Sequence, residues 1–454
     1  MPEEKGTTGS ESLSLASGSF LLLLGRVLEY LAVGVAGVLI ARGLGPEGRG
    51  VYSLVSQSAL WAVAFLVPGL AEAAIYLAGR GYYRLAQLWG NYLSWCLAAM
   101  ALLAAVALAA SMVGLPVLGM EPWQLALALS GGAAVLLYQG AQTLLLGQGR
   151  AGCYVLAQVS GPLVRLAGIG VAALLGMTVT LVLGVWLGAT VAAAILALAL
   201  LRLPLRPAFD RQSMRSQLVF GGKGFAGWVL AALNHRVDVF IVGGVLGAAA
   251  VGQYTVAFNS AELSWWIPLA VGSILFPKAS ALSADAGIRL GAAACRRTLL
   301  VAALSIAVLG VSGHHLIPLL YGEEFRQSVT SFYVLLPSGL LYSVSKVLSS
   351  SLWGLGRPEV GIYAGAASLP AMLTLNVVLV PRIGIEGAAI ASLVAYFLNA
   401  AVVLGTFARY SEMAWWQAVA PRPDDLRVLV QGGLSVLDRA RGWAGIGTLG
   451  SDTR

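Results

Sequence analysis

Charge is what this chain has least of. Only 11% of its 454 residues are Asp, Glu, Lys or Arg, against about 25% in an ordinary soluble domain. Cysteine is almost as scarce. Cys96, Cys153 and Cys295 lie far apart, in or beside apolar runs, so neither a disulfide framework nor a metal spacing exists and they read as buried free thiols. Three histidines are present. His314 and His315 are adjacent and sit about 100° apart on a helix, not on one face as an HxxxH pair would. There is no GxxxxGK[ST] stretch, so ATP is not used by that route. "GLGPEG" joins two apolar segments instead of a strand and a helix, which removes the dinucleotide reading. No enzyme, cofactor or metal site is therefore expected. The polar start "MPEEKGTTGSESLSLASGS" lacks a basic n-region, so the first apolar segment is expected to be retained and not cleaved as a signal peptide.

What is abundant is apolar sequence: 58% of residues, with a mean hydropathy of +0.83. Twelve segments, 17–41, 51–78, 88–113, 123–147, 153–174, 178–201, 216–246, 251–277, 297–320, 328–353, 359–381 and 384–408, each reach the roughly 20 residues that a spanning helix needs. The sequence predicts an all-α polytopic membrane protein with about twelve transmembrane helices. In a soluble protein the net charge of +8 would point to nucleic acid. Here its placement follows the membrane instead. With a cytoplasmic N-terminus, nineteen basic residues fall in inside loops and tails, and four (Arg42, Arg49, Arg326, Arg382) fall outside. That bias predicts both termini in the cytoplasm and no nucleic-acid partner.

The polar stretch "RLPLRPAFDRQSMR" divides the segments six and six. "LGPEGRGVY" at Leu44–Tyr52 matches "LGAAAVGQY" at Leu246–Tyr254 in Leu, both Gly and Tyr, and each follows the first segment of its half. "GQGR" at 147–150 and "GLGR" at 354–357 repeat the coincidence in the fourth-to-fifth loops. Turn chemistry explains the glycines, but not why both echoes fall in register. The expected organisation is a cytoplasmic tail over 1–16, an N-lobe over 17–201, a linker over 202–215, a C-lobe over 216–408 and a cytoplasmic tail over 409–454. Six helices per half make the repeat parallel, about an axis along the membrane normal.

Charges inside such segments are costly, about 2.5–3.5 kcal/mol each at a helix centre. Five basic groups are embedded (Arg26, Arg165, Lys223, Arg236, Lys346) beside four acids (Glu29, Glu72, Asp238, Glu262). Arg26 and Glu29 are three apart and share a face of the first segment. Lys223, Asn234 and Asp238 share one face of the seventh. Arg236 points elsewhere, so "NHRVD" cannot serve one cavity unless the helix is broken. Arg236–Asp238, Glu72 and Lys346 also read as structural pairs inside a bundle or as snorkelling groups. Arg26 and Arg165 sit at no segment end, and arginine suits bidentate phosphate contact. A cavity with several such cations favours an anionic substrate. Arg26, Arg165, Lys223 and Lys346 are the candidate substrate contacts. Glu29, Glu72, Asp238, Glu262, Asn234 and Arg236 are the ion-coupling or supporting candidates.

"ARGLGPEGRGVYSLV", "LIPLLYGEEFRQSVTSFYVLLPSGLLYSVSKVLSSSLWGLGRPEVGIY" and "RIGIEGAAIASLVAY", taken in order, resemble the Wzx-type lipid-linked oligosaccharide flippases of the MOP superfamily. The likeness runs over about residues 15–441. It implies two six-helix lobes in a MATE-like V shape that alternate between inward- and outward-facing states. The implied substrate is an undecaprenyl-pyrophosphate-linked oligosaccharide, moved across a bacterial cytoplasmic membrane for surface polysaccharide. Membrane lipid, H+ or Na+, a polysaccharide polymerase and glycosyltransferases are the implied partners. An arginine in the first helix lining a cationic cavity belongs to the family pattern, and Arg26 matches it. The two extra C-terminal helices of the peptidoglycan-precursor flippases are missing. An ion-coupled multidrug antiporter is the alternative on the same fold. It would favour buried acids, whereas here the basic groups are at least as numerous.

Overall fold

The computed structural model describes residues 8–113 and 119–431; the side chains of 8–20, 23, 113, 223, 224 and 226 fall outside the description. The chain is an all-α polytopic membrane protein. Its helices are α1 (Thr8–Leu66), α2 (Leu70–Gly79), α3 (Leu85–Val113), α4 (Pro122–Gly147), α5 (Ala151–Leu175), α6 (Val179–Leu201), α7 (Arg211–Leu246), α8 (Ala248–Glu262), α9 (Trp266–Ser280), α10 (Ala284–Tyr321), α11 (Ser328–Leu335), α12 (Ser338–Gly354), α13 (Val360–Ile383), α14 (Ile385–Ser411) and α15 (Trp415–Val419). Among the described residues, ten helical stretches are long and apolar enough to cross a membrane.

Two of the sequence segments run together in α1. The joint is Gly45, with φ 65° and ψ −172°. Pro46 cannot donate to the preceding turn and pushes the residue before it out of helical geometry. A positive φ with extended ψ is open to glycine almost alone. Pro46 then opens the next helix without a gap, so Arg49 lies in that helix and is buried, 6% exposed. This corrects the placement of Arg49 in an outside loop. The eighth segment also differs from a single span: a 3-10 turn over Leu263–Trp265 separates α8 from α9.

Caps fix where other helices begin. Glu121 and Gln124 form a reciprocal capping box at α4, with Pro122 in the first turn. Thr178 accepts the Leu181 amide at the start of α6. Asp210 accepts the Ser213 amide at 2.9 Å to start α7. Its hydrogen bonds from Ser213, with Gln87 contributing, hold the Asp210 carboxyl below the usual carboxylate range.

The chain forms two compact units. One comprises 1–257, 315–331 and 373–391, and the other comprises 258–314, 332–372 and 392–454. In the first, α1 packs on α4 and α5, and α4 packs between α3 and α6. The polar link into α7 is clamped there: Asn91 Nδ2 donates to Ser213 Oγ (2.8 Å) and to Gln217 Oε1 (3.0 Å), and Gln217 Nε2 donates to the carbonyls of Leu70 and Leu88. In the second unit the core gathers Leu275, Cys295, Val347, Leu348, Leu352 and Phe407. At its polar end Asp425 is 2% exposed and binds Arg296 Nε at 2.7 Å and Arg297 Nε at 3.1 Å.

Candidate functional site

Burial of a guanidinium in an apolar bundle needs a reason, and the first unit buries more than one. Arg49, one turn past the Gly45 joint, stands with its guanidinium carbon 5.5 Å from the Tyr52 ring centroid. That is cation–π range. Its Nε has no hydrogen-bond partner among the described residues. Arg165, half-buried on α5, donates from Nη1 to Tyr52 Oη at 3.1 Å. Arg236, 8% exposed on α7, and Tyr321 at the end of α10 also lie within electrostatic reach of Arg49. Arg49, with Arg165 on the same Tyr52 and Arg236 in electrostatic reach, makes a cationic cluster with unspent donor capacity at the Arg49 Nε. A cluster of this kind is suited to an anion such as a phosphate, which offers several acceptor oxygens. Gly37 faces the Arg49 guanidinium, and a methyl there would only reach ordinary contact at 3.7 Å, so that side is not tightly filled.

The break in α7 that sequence spacing made conditional is present. Arg236 has φ −148° and ψ 15°, outside helical geometry, and divides α7 within "NHRVD". Asp238 just beyond it is fully buried. It accepts the Val239 amide at 2.8 Å and the Tyr254 hydroxyl. Asn234, half-buried before the break, donates to the Leu230 carbonyl at 2.9 Å.

The other candidates lie apart. Arg26 is exposed on α1, and no ion pair joins it to Glu29 among the described residues. Glu29 instead accepts Gln158 Nε2 of α5 at 2.7 Å. From Arg26 to the Gly45 joint is nineteen residues of helix, roughly 28 Å at 1.5 Å per residue, so Arg26 lies near the opposite end of the span from Arg49. Glu72 is exposed in the first turn of α2, where a negative charge suits the helix dipole. The Lys223 side chain falls outside the described residues. Glu262 and Lys346 belong to the second unit and are half-buried, Glu262 at the end of α8 and Lys346 with its stem against Gly272. Arg165 and Arg236 thus each lie within electrostatic reach of Arg49, which is the member that sequence reasoning missed. Pro46 carried the missing signal, because a proline at a helix start moves the helix boundary ahead of Arg49.

The profile described as "Polysaccharide biosynthesis protein" matches residues 87–330, just over half of the chain. The chain belongs to this polysaccharide biosynthesis protein family. Among relatives of the family member, the "Probable low-salt glycan biosynthesis flippase Agl15" of Haloferax volcanii is 27% identical over 193 residues, covering 39% of this chain and 40% of that protein. The matched stretch is therefore less than half of the relative's length. Two solved structures share the fold. A lipid II flippase MurJ in an inward closed conformation superposes with a TM-score of 0.71 at 12% identity, over 87% of this chain and 90% of that one. An inward-facing multidrug resistance MATE transporter of the MOP superfamily gives 0.64 at 16% identity, over 86% and 96%.

Proposed function

We propose that this polysaccharide biosynthesis protein flips a polyprenyl-pyrophosphate-linked oligosaccharide across the cytoplasmic membrane by alternating access. The observation that carries the reading is the arginine cluster: Arg49 and Arg165 share Tyr52 inside an apolar bundle, with Arg236 in electrostatic reach. Cations at this depth are costly unless they meet an anion during the working cycle. A pyrophosphate supplies that anion, while the attached polyprenyl chain can stay in lipid. Arg26, roughly 28 Å along the helix from the Gly45 joint, would make the first contact with the pyrophosphate before the Arg49 cluster receives it. In a bacterial inner membrane the lipid would be undecaprenyl pyrophosphate, with both termini cytoplasmic and glycosyltransferases and a polymerase acting before and after. Asp238, buried beside the break in α7, is the best-placed acid for coupling to H+ or Na+. Broken spanning helices are where transporters commonly expose backbone groups to ions. The reaction is transport and involves no covalent step.

The test is transport of fluorescent lipid-linked oligosaccharide in proteoliposomes. The reading requires flipping that falls at least tenfold in Arg49→Ala and in Arg165→Ala. Full activity in both variants would overturn the site. Efflux of cationic drugs with no movement of the glycolipid would establish the multidrug alternative.

A further inference from the structure

The two echoing loops meet each other, and they do so reciprocally. Gly45 and Gly247 hold register-matched positions in the two repeats. Both have positive φ with extended ψ: 65° and −172° at Gly45, 84° and 179° at Gly247. The same turn is therefore built twice. Five residues on, Gly50 lies so close to Ala248 that a Cβ would fall 1.7 Å from the Ala248 carbonyl oxygen. Its counterpart Gly252 lies so close to Pro46 that a Cβ would fall 1.9 Å from that carbonyl oxygen. Pro46 and Ala248 are themselves matched positions. One turn further, matched Ser53 and Thr255 share a hydrogen bond at 3.3 Å between Oγ and Oγ1. Three matched contacts on one local axis describe a pseudo-twofold closure of two helix starts.

The end of α10 and the 3-10 turn Glu323–Phe325 after it lie against this closure. Arg42 Nε donates to the Leu320 carbonyl at 2.8 Å, and its Nη2 donates to that of Leu319. Gln253 Nε2 donates to the Glu324 carbonyl, and Ser328 donates to Gln253 Oε1, both at 2.6 Å. Beside the closure, matched Tyr52 and Tyr254 hold groups of opposite charge. Tyr52 accepts from Arg165 and faces Arg49, while Tyr254 donates to Asp238.

We propose that these contacts between 44–53 and 246–255 form a latch, in which Gly50, Gly252, Ser53 and Thr255 close one side of the transport route and Tyr52 and Tyr254 act as positioning residues. Because each tyrosine precedes a latch residue by one position, parting the latch moves both at once. Arg165 and Asp238 are then displaced together, which links the anion site to the buried acid. A pyrophosphate that draws on the remaining donors of Arg165 pulls Tyr52 with it and loosens the latch from the inside. This inference rests on transport by alternating access; in its test, cross-linking reads the conformation and flipping is read separately.

The experiment uses the full chain with Cys96, Cys153 and Cys295 replaced by Ala, carrying Ser53→Cys and Thr255→Cys. Oxidation with copper phenanthroline should cross-link the pair. Cross-linked protein should lose at least tenfold in flipping and regain it on reduction. Gly252→Ala should slow cross-linking at least tenfold, while Gly244→Ala, where a methyl meets open space, should leave it unchanged. Undecaprenyl pyrophosphate should slow cross-linking at least threefold, and Tyr52→Phe should abolish that response. A pair that does not cross-link, cross-linked protein that flips at the full rate, or an unaltered lipid response in Tyr52→Phe would overturn the latch. Normal cross-linking behaviour in protein that flips nothing in any state would count against the flippase reading instead.

Discussion

Arg165 on α5 donates to the hydroxyl of Tyr52 on α1 at 3.1 Å, and the same Tyr52 turns its ring toward Arg49. One phenol orients two cations from different helices. The cluster is thereby held in shape before any anion arrives, which lowers the ordering cost of binding one.

Tyr52→Phe separates the two contacts. The ring stays for Arg49, and the acceptor for Arg165 is lost. A neutral-to-charged hydrogen bond is worth about 1.5–3 kcal/mol, and part of this is recovered by solvent or substrate. The expected outcome is a several-fold weakening of substrate binding, smaller than that of Arg165→Ala, measured by titrating undecaprenyl pyrophosphate against tryptophan fluorescence.

The Asp425 pair gives a stability prediction distinct from transport. Arg296 and Asp425 are both buried, and removing one partner of a buried pair costs about 3–5 kcal/mol because the other charge is left uncompensated. Asp425→Ala should lower the thermal midpoint in detergent by several degrees. Arg427→Ala, whose contact to Asp424 is exposed, should change it little.

The same group sets an acid limit. Burial alone would push the Asp425 carboxyl up, but hydrogen bonds from Arg296, the Arg422 amide and Arg297, with the Arg296 charge, hold it below its ordinary value. A depressed folded-state value means that the pair adds stability above the unfolded value, about 3.9. That stability is lost as pH falls from there through the folded value. Between pH 7 and pH 5 the midpoint should not move on this account. Below about pH 4 it should fall, and Asp425→Asn should flatten that part of the profile.

Gly45 carries the joint in α1. A side chain at φ 65° and ψ −172° costs about 1–3 kcal/mol, and a Cβ there would also press on the Glu324 carboxylate at 2.8 Å. Gly45→Ala should destabilise the protein measurably in a thermal melt, whereas Gly34→Ala, where a methyl meets open space, should be neutral or better.

The apolar runs and their polar breaks were legible in sequence because lipid forces backbone groups into helices and leaves few alternatives. The echo of "LGPEGRGVY" in "LGAAAVGQY" was legible through one leucine, two glycines and a tyrosine, and its glycines have a structural reason: positive φ at Gly45 and Gly247, and close carbonyl approach at Gly50 and Gly252. Arg165 and Arg236 stood out as costly charges. Arg49 did not, because "GPEGRG" has the composition of a loop while Pro46 makes it a helix start. Nor could spacing alone pair Glu29 with Gln158, since that contact joins α1 to α5 and depends on helix packing.

The most direct test of the central claim is movement of a lipid-linked oligosaccharide between leaflets by the purified chain in proteoliposomes, compared with Arg49→Ala and Arg165→Ala. The account predicts transport by the parent and at least a tenfold loss in each variant, with both still folded by thermal melt. Transport that proceeds undiminished in both variants would contradict it.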